Sequence, residues 1–373
     1  MKYIHILQSH QMSGGGVGSV ITDLCEAMAH QSAEVYAISL FRREGIDFNI
    51  ESEWAKKTGI HSLIMQDSDA DSKIKALFKL RKTIKELAKN DRCCLFLHLK
   101  WGVLAGIIST LGIKNIKRVE VYHSGYMRYK LQAFLSKPFI DHYISVSKDA
   151  KRQLIDWFHV DEKKIDVVYN GVNVQYIRDL CRDYTKETPG FDFVSVGRLS
   201  FEKGFKTPIE AYSSLCRENK LNNTTYTMVG DGNQREECEL LSKGYVSFTG
   251  LVERQKAYHF IADATVMVLP SLWEGNSILM LEALALGRPM VVTDIPAFRE
   301  VLGFEPLSEE EDCRWEWFGA VFHKENVASC EAALMLAYQH QGDLASLSHK
   351  ISELADQFST DFQARRYFQI AQF

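Results

Sequence analysis

Residues Ser271–Pro289 read SLWEGNSILMLEALALGRP and lie between two short apolar runs, Thr265–Leu269 and Met290–Val292. Runs of this kind, aliphatic and bounded by turn residues, are how a buried parallel strand looks in sequence. From Ser277 to Leu286 there is no Gly or Pro, and strong helix formers dominate. Gly287 suits the helix C-terminus and Pro289 follows it closely. The stretch therefore predicts strand, loop, helix, strand, the repeating unit of an α/β fold. Glu274 falls in the loop at the carboxyl end of the first strand, and Glu282 lies one to two turns into the helix. Ligands of open α/β sheets sit outside the carboxyl ends of strands. The run Gly275, Asn276, Ser277 offers backbone N–H groups at a helix N-terminus, suited to an anion or to sugar hydroxyls. A lone Glu is more often a solvated charge, yet Glu282 sits among apolar neighbours in LMLEALAL.

The bulk composition sets limits. At 373 residues the chain has room for two domains, and 46% hydrophobic with 25% charged residues is globular composition. Eight scattered cysteines without a C-x-x-C read as buried thiols, neither a disulfide framework nor a zinc site. The N-terminus reaches a Gly-rich turn too soon for a signal peptide, and Gly102–Ile113 is too short to span a bilayer; a cytoplasmic location is expected. The net charge of −4 hides an asymmetry: residues 1–165 hold 25 Lys and Arg against 18 Asp and Glu, and residues 73–152 hold 18 against 5. That basic stretch is either a solvated face or a surface for an anionic membrane or phosphate-bearing acceptor. No nucleic-acid motif accompanies it.

Along the chain, a first strand at Tyr3–Leu7 meets Ser13-Gly14-Gly15-Gly16-Val17-Gly18 and then a helix to about His30. Such glycines let backbone N–H groups approach a diphosphate or sugar. The dinucleotide pattern is not met, because Ser19 stands where Gly or Ala is needed and no acidic residue ends the strand Glu34–Leu40. Asp67, Asp69 and Asp71 sit in a polar linker without a flanking strand, so they read as a solvated loop ahead of the basic helix Lys73–Asn90, not as a metal site. Strands at Cys93–His98 and Lys117–Tyr122 place His98 and His123 at their ends; Tyr126, Arg128 and Lys130 follow. After the strand Phe191–Val196 come Gly197-Arg198-Leu199-Ser200-Phe201-Glu202-Lys203-Gly204. Arg brings a planar fork and Lys a mobile point charge, a common pair for a diphosphate.

Together these motifs resemble those of the retaining GT-B enzymes of glycosyltransferase family 4. The E-x7-E spacing of Glu274 and Glu282 resembles that family's signature, Gly197 to Gly204 its G-R-L-x-x-x-K-G, Gly230-Asp231-Gly232 its G-x-G, Val246–Gly250 its V-x-F-x-G, and Val167–Asn173 the segment that closes its first domain. The resemblance implies two Rossmann-like domains facing a cleft: an acceptor domain at 1–172, a linker at 173–190, a nucleotide-sugar domain at 191–355, and a C-terminal helix at 356–373 that crosses back. It implies that Arg198 and Lys203 neutralise the donor diphosphate, that Glu274, Gly275, Asn276 and Ser277 hold the sugar, and that Glu282 anchors the ribose. Gly15, Gly16, Gly18, Gly230 and the backbone near Leu251 complete the donor site. His123 meets the sugar near its reacting carbon, and His98, Tyr126 and Arg128 face the acceptor. The expected reaction moves a sugar, with UDP as the prior, to a glycan or lipid-linked acceptor of a bacterial surface polysaccharide, without cofactor or metal. Asn276-Ser277 stands where Phe-Gly is usual, which leaves the donor sugar open, and Asn173 stands where Asp is commoner. An epimerase or hydrolase of the same fold, or a non-catalytic nucleotide-sugar-binding assembly protein, are the other readings.

Overall fold

The hexapeptide CCLFLH at Cys93–His98 is buried at every position, as a central parallel strand covered on both faces must be. The same holds for VMVL at Val266–Leu269 and MVVT at Met290–Thr293. These strands lie at the heart of two sheets. The computed structural model describes residues 1–8, 16–41, 48–66, 72–123, 130–183 and 190–372, excluding the side chains of 48–52 and 130–132.

The chain divides into two compact units, Met1–Gly171 with Thr360–Phe373, and Val172–Ser359. In the first unit the strands are β1 (Lys2–Leu7), β2 (Glu34–Ser39), β3 (His61–Ile64), β4 (Cys93–His98), β5 (Ile116–Tyr122), β6 (His142–Ser145) and β7 (Ile165–Val167). Helices alternate with them: α1 (Val17–His30), α2 (Phe48–Thr58), α3 (Lys73–Leu87), α4 (Leu99–Thr110), α5 (Lys130–Ser136) and α6 (Lys148–Phe158). The parallel sheet has the order β3-β2-β1-β4-β5-β6-β7. Ser72 and Ser147 cap α3 and α6, accepting from the N–H groups of Lys75 and Ala150, the usual way a short hydroxyl satisfies an orphan donor.

The second unit starts with α7 (Val174–Leu180), then alternates β8 (Phe191–Val196), α8 (Lys206–Arg217), β9 (Thr224–Val229), α9 (Arg235–Ser242), β10 (Ser247–Gly250), α10 (Arg254–Asp263), β11 (Val266–Leu269), α11 (Ile278–Ala285), β12 (Met290–Thr293) and α12 (Pro296–Leu302). A hairpin of β13 (Cys313–Glu316) and β14 (Gly319–Phe322), then α13 (Val327–Gln339) and α14 (Gln341–Ala355), completes it. Its sheet order is β10-β9-β8-β11-β12-β14-β13, parallel except for the edge pair β13–β14. The last helix, α15 (Thr360–Ala371), belongs to the first unit, where Ala364, Tyr367, Ile370 and Ala371 join the core of Ile21, Leu24, Cys25 and Met28.

Each sheet reverses its strand order once, between β1 and β4 and between β8 and β11. In doubly wound folds that reversal opens the crevice where ligands bind. The stretch at 173–190, expected as a linker, carries α7: the Asn173 side chain caps it by accepting from the Tyr176 N–H, and Val174 and Ile177 are buried. The returning segment starts at Thr360, since Asp356–Phe358 forms a 3-10 turn within the second unit.

Candidate active site

The second unit builds its site from loops at the carboxyl ends of β8, β9 and β11. The strand ends are aligned by the buried Ser195 hydroxyl, which donates to the Val268 carbonyl at 2.7 Å and meets the Tyr226 hydroxyl at 2.8 Å. After β8 the chain turns at Gly197 (φ 148°), makes a 3-10 turn at Phe201–Lys203 and turns again at Gly204 (φ 64°). A Cβ on Gly204 would lie 2.2 Å from the Pro270 carbonyl oxygen, so only glycine lets this loop approach the one after β11. Gly230 makes the matching approach: its Cβ would meet the Gly197 carbonyl oxygen at 2.0 Å.

That close approach joins the two charged motifs. Lys203 Nζ donates to Glu274 Oε1 at 2.6 Å, and the Ser271 hydroxyl donates to the same oxygen at 2.8 Å. The Glu274 side chain is 13% exposed and that of Lys203 30%, so both groups are shielded yet reachable. The backbone fastens the loops as well, with Leu272 N–H donating to the Glu202 carbonyl at 2.9 Å. Burial opposes ionisation of Glu202, but the Ser200 hydroxyl, a backbone N–H and the charges of Arg198 and Lys203 outweigh it and hold its carboxyl below the usual range. Arg198 is exposed, and its guanidinium makes no hydrogen bond among the described residues.

Glu274 leads into α11. Gly275, Asn276 and Ser277 are buried, and no side-chain hydrogen bond caps the helix at Ser277. The positive end of the helix therefore lies beside Lys203 and Glu274, an arrangement that favours an anion. Glu282, further along α11, lies 3.6 Å from the Arg254 guanidinium at the start of α10. Two further expected donor residues lie at the ends of β9 and β10. The Gly230 N–H is occupied by the Gly250 carbonyl at 3.0 Å, so this glycine serves the close approach of β8 and β9. Leu251 is 87% exposed, with its side chain in solvent.

Sequence reasoning passed over Phe201, Trp273, Ser271 and Arg254. Phe201 and Trp273 are exposed and contact each other, ring centroids 5.7 Å apart, each next in the chain or nearly so to Lys203 and Glu274. The aromatic ahead of Glu274-Gly275 was a usable signal; the pairing of Phe201 with it was not, because it depends on the two loops meeting.

In the first unit, Gly16 (φ 84°) directly precedes α1 and accepts from the Ser19 hydroxyl, and Gly18 accepts from the Thr22 hydroxyl. Gly15, Tyr126 and Arg128 lie outside the described residues. His98 and His123 come together at the ends of β4 and β5, with His98 Nδ1 3.0 Å from His123 Nε2. His98 is fully buried, and its other nitrogen is 3.0 Å from His5 Nδ1. The expectation that His98 touches an acceptor is corrected: both ring nitrogens are engaged by histidines. Burial, then the neighbouring His5 and His123, push its pKa well below the ordinary value, and burial lowers that of His123 to about 4. Among the described residues no cluster of three or more His, Cys, Asp or Glu is arranged to hold a metal, and no helix is long and apolar enough to cross a membrane.

Two family models divide the chain. Residues 190–326 match the family described as glycosyl transferases group 1, and residues 14–176 match Glycosyltransferase Family 4. This chain is a group 1, family 4 glycosyltransferase. The glycosyltransferase is 29% identical over 203 residues to an O-antigen chain mannosyltransferase of Salmonella typhimurium, covering 52% of this chain and 54% of the relative. It is 27% identical over 167 residues to a lipopolysaccharide 1,6-galactosyltransferase of the same organism, covering 42% and 44%. The matches span about half the length of the curated relatives. The Anabaena protein HepE, solved with UDP and glucose, superimposes with a TM-score of 0.76 at 15% identity, over 99% of this chain and 98% of that one; the likeness places the glycosyltransferase in the GT-B fold.

Proposed function

We propose that this protein transfers a hexose from a nucleoside diphosphate sugar, with UDP as the first candidate, to a glycan or lipid-linked acceptor during assembly of a bacterial surface polysaccharide, with retention at the anomeric carbon. The observation that carries this reading is the junction of Lys203, Glu274 and the N-terminus of α11, with exposed Arg198 in the same loop as Lys203. Two cations and a helix N-terminus suit a diphosphate whose charge grows as the glycosidic bond breaks, and stabilising that charge is electrostatic catalysis. Both hydrogen bonds to Glu274 fall on Oε1, which leaves Oε2 to accept from a sugar hydroxyl. Glu282 takes the ribose. His123, neutral at physiological pH, hydrogen-bonds the sugar being transferred. Likeness to an O-antigen mannosyltransferase and a lipopolysaccharide galactosyltransferase supports the acceptor class, and likeness to a protein solved with UDP and glucose supports the donor class.

Because protein cations carry the diphosphate in this reading, transfer persists undiminished in EDTA; loss of turnover in chelator and recovery with a divalent ion would overturn that part. The first test is a panel of nucleotide sugars scored for thermal stabilisation and slow hydrolysis, beside Arg198→Ala. Stabilisation by one nucleotide sugar, lost in the variant, is expected; no response from folded protein to any nucleotide sinks the reading. Peripheral attachment to an anionic bilayer is also proposed, through α3. There Ile74 and Phe78 are 65% and 70% exposed, one turn apart, among exposed Lys73, Lys75, Lys82 and Lys85, the mixture that interfacial helices use. Vesicles rich in phosphatidylglycerol are expected to retain the wild type and release Ile74→Ser/Phe78→Ser.

A further inference from the structure

Three histidines line up across three adjacent strands of the first unit. His5 lies within β1, His98 ends β4 and His123 follows β5, and β1, β4 and β5 are neighbours in that order. The rings of His5 and His98 are stacked with centroids 5.3 Å apart and 18° between planes, and those of His98 and His123 are also 5.3 Å apart. Two hydrogen bonds of 3.0 Å run through the row, His5 Nδ1 to His98 Nε2 and His98 Nδ1 to His123 Nε2. The place of His98 is enforced by its surroundings. Leu99, directly after it, adopts φ +58°, a left-handed conformation that costs a branched residue on the order of 1–3 kcal/mol and that structures keep where geometry matters. Gly102 in the next turn allows α4 onto β1, since a Cβ there would lie 2.5 Å from the Ile6 carbonyl oxygen.

A neutral imidazole donates through one nitrogen and accepts through the other. With both nitrogens of His98 engaged, its two bonds must point the same way along the row, either toward His5 or toward His123. The alternative, a charged His98 donating on both sides, is opposed by burial and by the two flanking rings. The proton on His123 is thus tied to the proton on His98, at the end of the adjacent strand.

We propose that His98 is a positioning residue: it fixes one tautomer and one ring orientation of His123, leaving Nδ1 of His123 as the nitrogen offered at the carboxyl end of β5 to a hydroxyl of the transferred sugar. His5 sets the direction of the row from behind. The role assigned to His123 rests on the transferase reading above; the geometry of the row does not.

The experiment uses full-length protein labelled with ¹⁵N-histidine, whose long-range ¹⁵N–¹H correlations distinguish an Nδ1–H from an Nε2–H imidazole. His123 is assigned by the signal that His123→Gln removes. The wild type is expected to show His123 as a single tautomer at neutral pH. His98→Phe keeps the volume but no ring nitrogen, and His123 then gives the averaged pattern of a free imidazole. His98→Gln, whose amide both donates and accepts, restores a single tautomer. In parallel, kcat for sugar transfer falls on the order of a hundredfold in His98→Phe, the scale of a misplaced catalytic group, with donor KM unchanged, and His98→Gln recovers part of it. If His98→Phe does not fold, His5→Phe is measured in its place with the same spectral expectation. An averaged His123 in the wild type, or a single unchanged tautomer in a folded His98→Phe, overturns the proposal. The spectra need no substrate, so a failure of the transferase reading leaves them standing, and an unchanged tautomer in an active transferase removes this proposal alone.

Discussion

Lys203 carries one positive charge with two claims on it. Its ammonium rests on Glu274 Oε1 at 2.6 Å, and a diphosphate arriving at the same loop competes for it. A hydrogen bond to a charged group contributes roughly 1.5–3 kcal/mol, so Lys203→Met is expected to weaken UDP binding about ten- to a hundredfold. Glu274→Gln should act oppositely on the nucleotide: with the competitor neutral, UDP binds at least as tightly as to the wild type, while turnover of the sugar nucleotide collapses because the sugar loses its anionic acceptor. Calorimetric titration beside turnover separates the two, and weaker UDP binding by Glu274→Gln would contradict the competition. A second carboxylate gives a pH test. Glu120 on β5 is flanked by Leu97 and Tyr143 on the neighbouring strands, its Oε2 is buried without a partner among the described residues, and burial raises its pKa to about 7. A raised folded pKa means the fold holds a proton that the unfolded chain releases above its ordinary value of about 4.5. Stability is therefore intact at pH 4.5 and lost as pH rises to about 7. Glu120→Gln keeps the shape and is always neutral, so it should raise the melting temperature by a few degrees at pH 8 and leave it unchanged near pH 4.5. Equal effects at both pH values would mean that packing, not charge, governs this site.

The element that sets the geometry of the site is the turn between β8 and α8, and Gly204 tests it. Any side chain at φ +64° is strained by about 1–2 kcal/mol, and here a Cβ would also strike the Pro270 carbonyl. Gly244 has φ +84° with open space around its missing Cβ, so it supplies the control. Gly244→Ala should cost about 1 kcal/mol and leave nucleotide binding intact. Gly204→Ala should cost clearly more and weaken nucleotide binding, because the loop that carries Arg198 and Lys203 is displaced from the one after β11; equal losses in the two variants, read by denaturant titration, would remove the close approach from the account. Elements with strong local patterning were legible in the sequence. The stretch from β11 to β12 reads correctly because its strands are uniformly apolar and its helix has clear stops, with α11 found at Ile278–Ala285 inside the expected Ser277 to Leu286. The edge strand β13 was not legible: CRWE at Cys313–Glu316 is only half buried along its length, and its pairing comes from a hairpin with β14. Helix α7 was missed because two amphipathic turns inside a polar run look like linker, although Asn173 three residues before Tyr176 is a capping signal. At the site, the charged motif residues were legible, while Ser271, Arg254 and the Phe201–Trp273 pair depend on which loops meet.

At the scale of the whole molecule, the chain leaves the first unit at Gly171 and returns to it at Thr360. That a final helix returns was expected from the family resemblance; what it packs against in the core was not, because α15 has buried positions at Gln363, Ala364, Tyr367, Ile370 and Ala371 whose partners lie far earlier in the sequence. Tyr367 is 1% exposed and stacks near Phe96 and His5, with ring centroids 4.8 Å and 6.2 Å away. Lys117 Nζ donates to the Ile370 carbonyl at 2.7 Å, and the Gly171 N–H donates to Gln363 Oε1 at 2.9 Å, so the helix is fastened at both ends to its own unit. Burying a large apolar side chain stabilises by about 1.5–3 kcal/mol, and several such side chains together rival the roughly 5–15 kcal/mol that holds a domain folded. The second unit, by contrast, is one continuous segment ending at Ser359 and keeps its whole sheet without α15. Ending the chain at Ser359 is therefore expected to unfold the first unit selectively. Scanning calorimetry should show the loss of one cooperative transition, and the remaining one should still move upward with added UDP, since a ligand that binds only the folded state stabilises by mass action. If the shortened chain retained the full heat of unfolding, α15 would be an ornament on the first unit; if its remaining transition ignored UDP, the nucleotide site would need more than the residues between Val172 and Ser359.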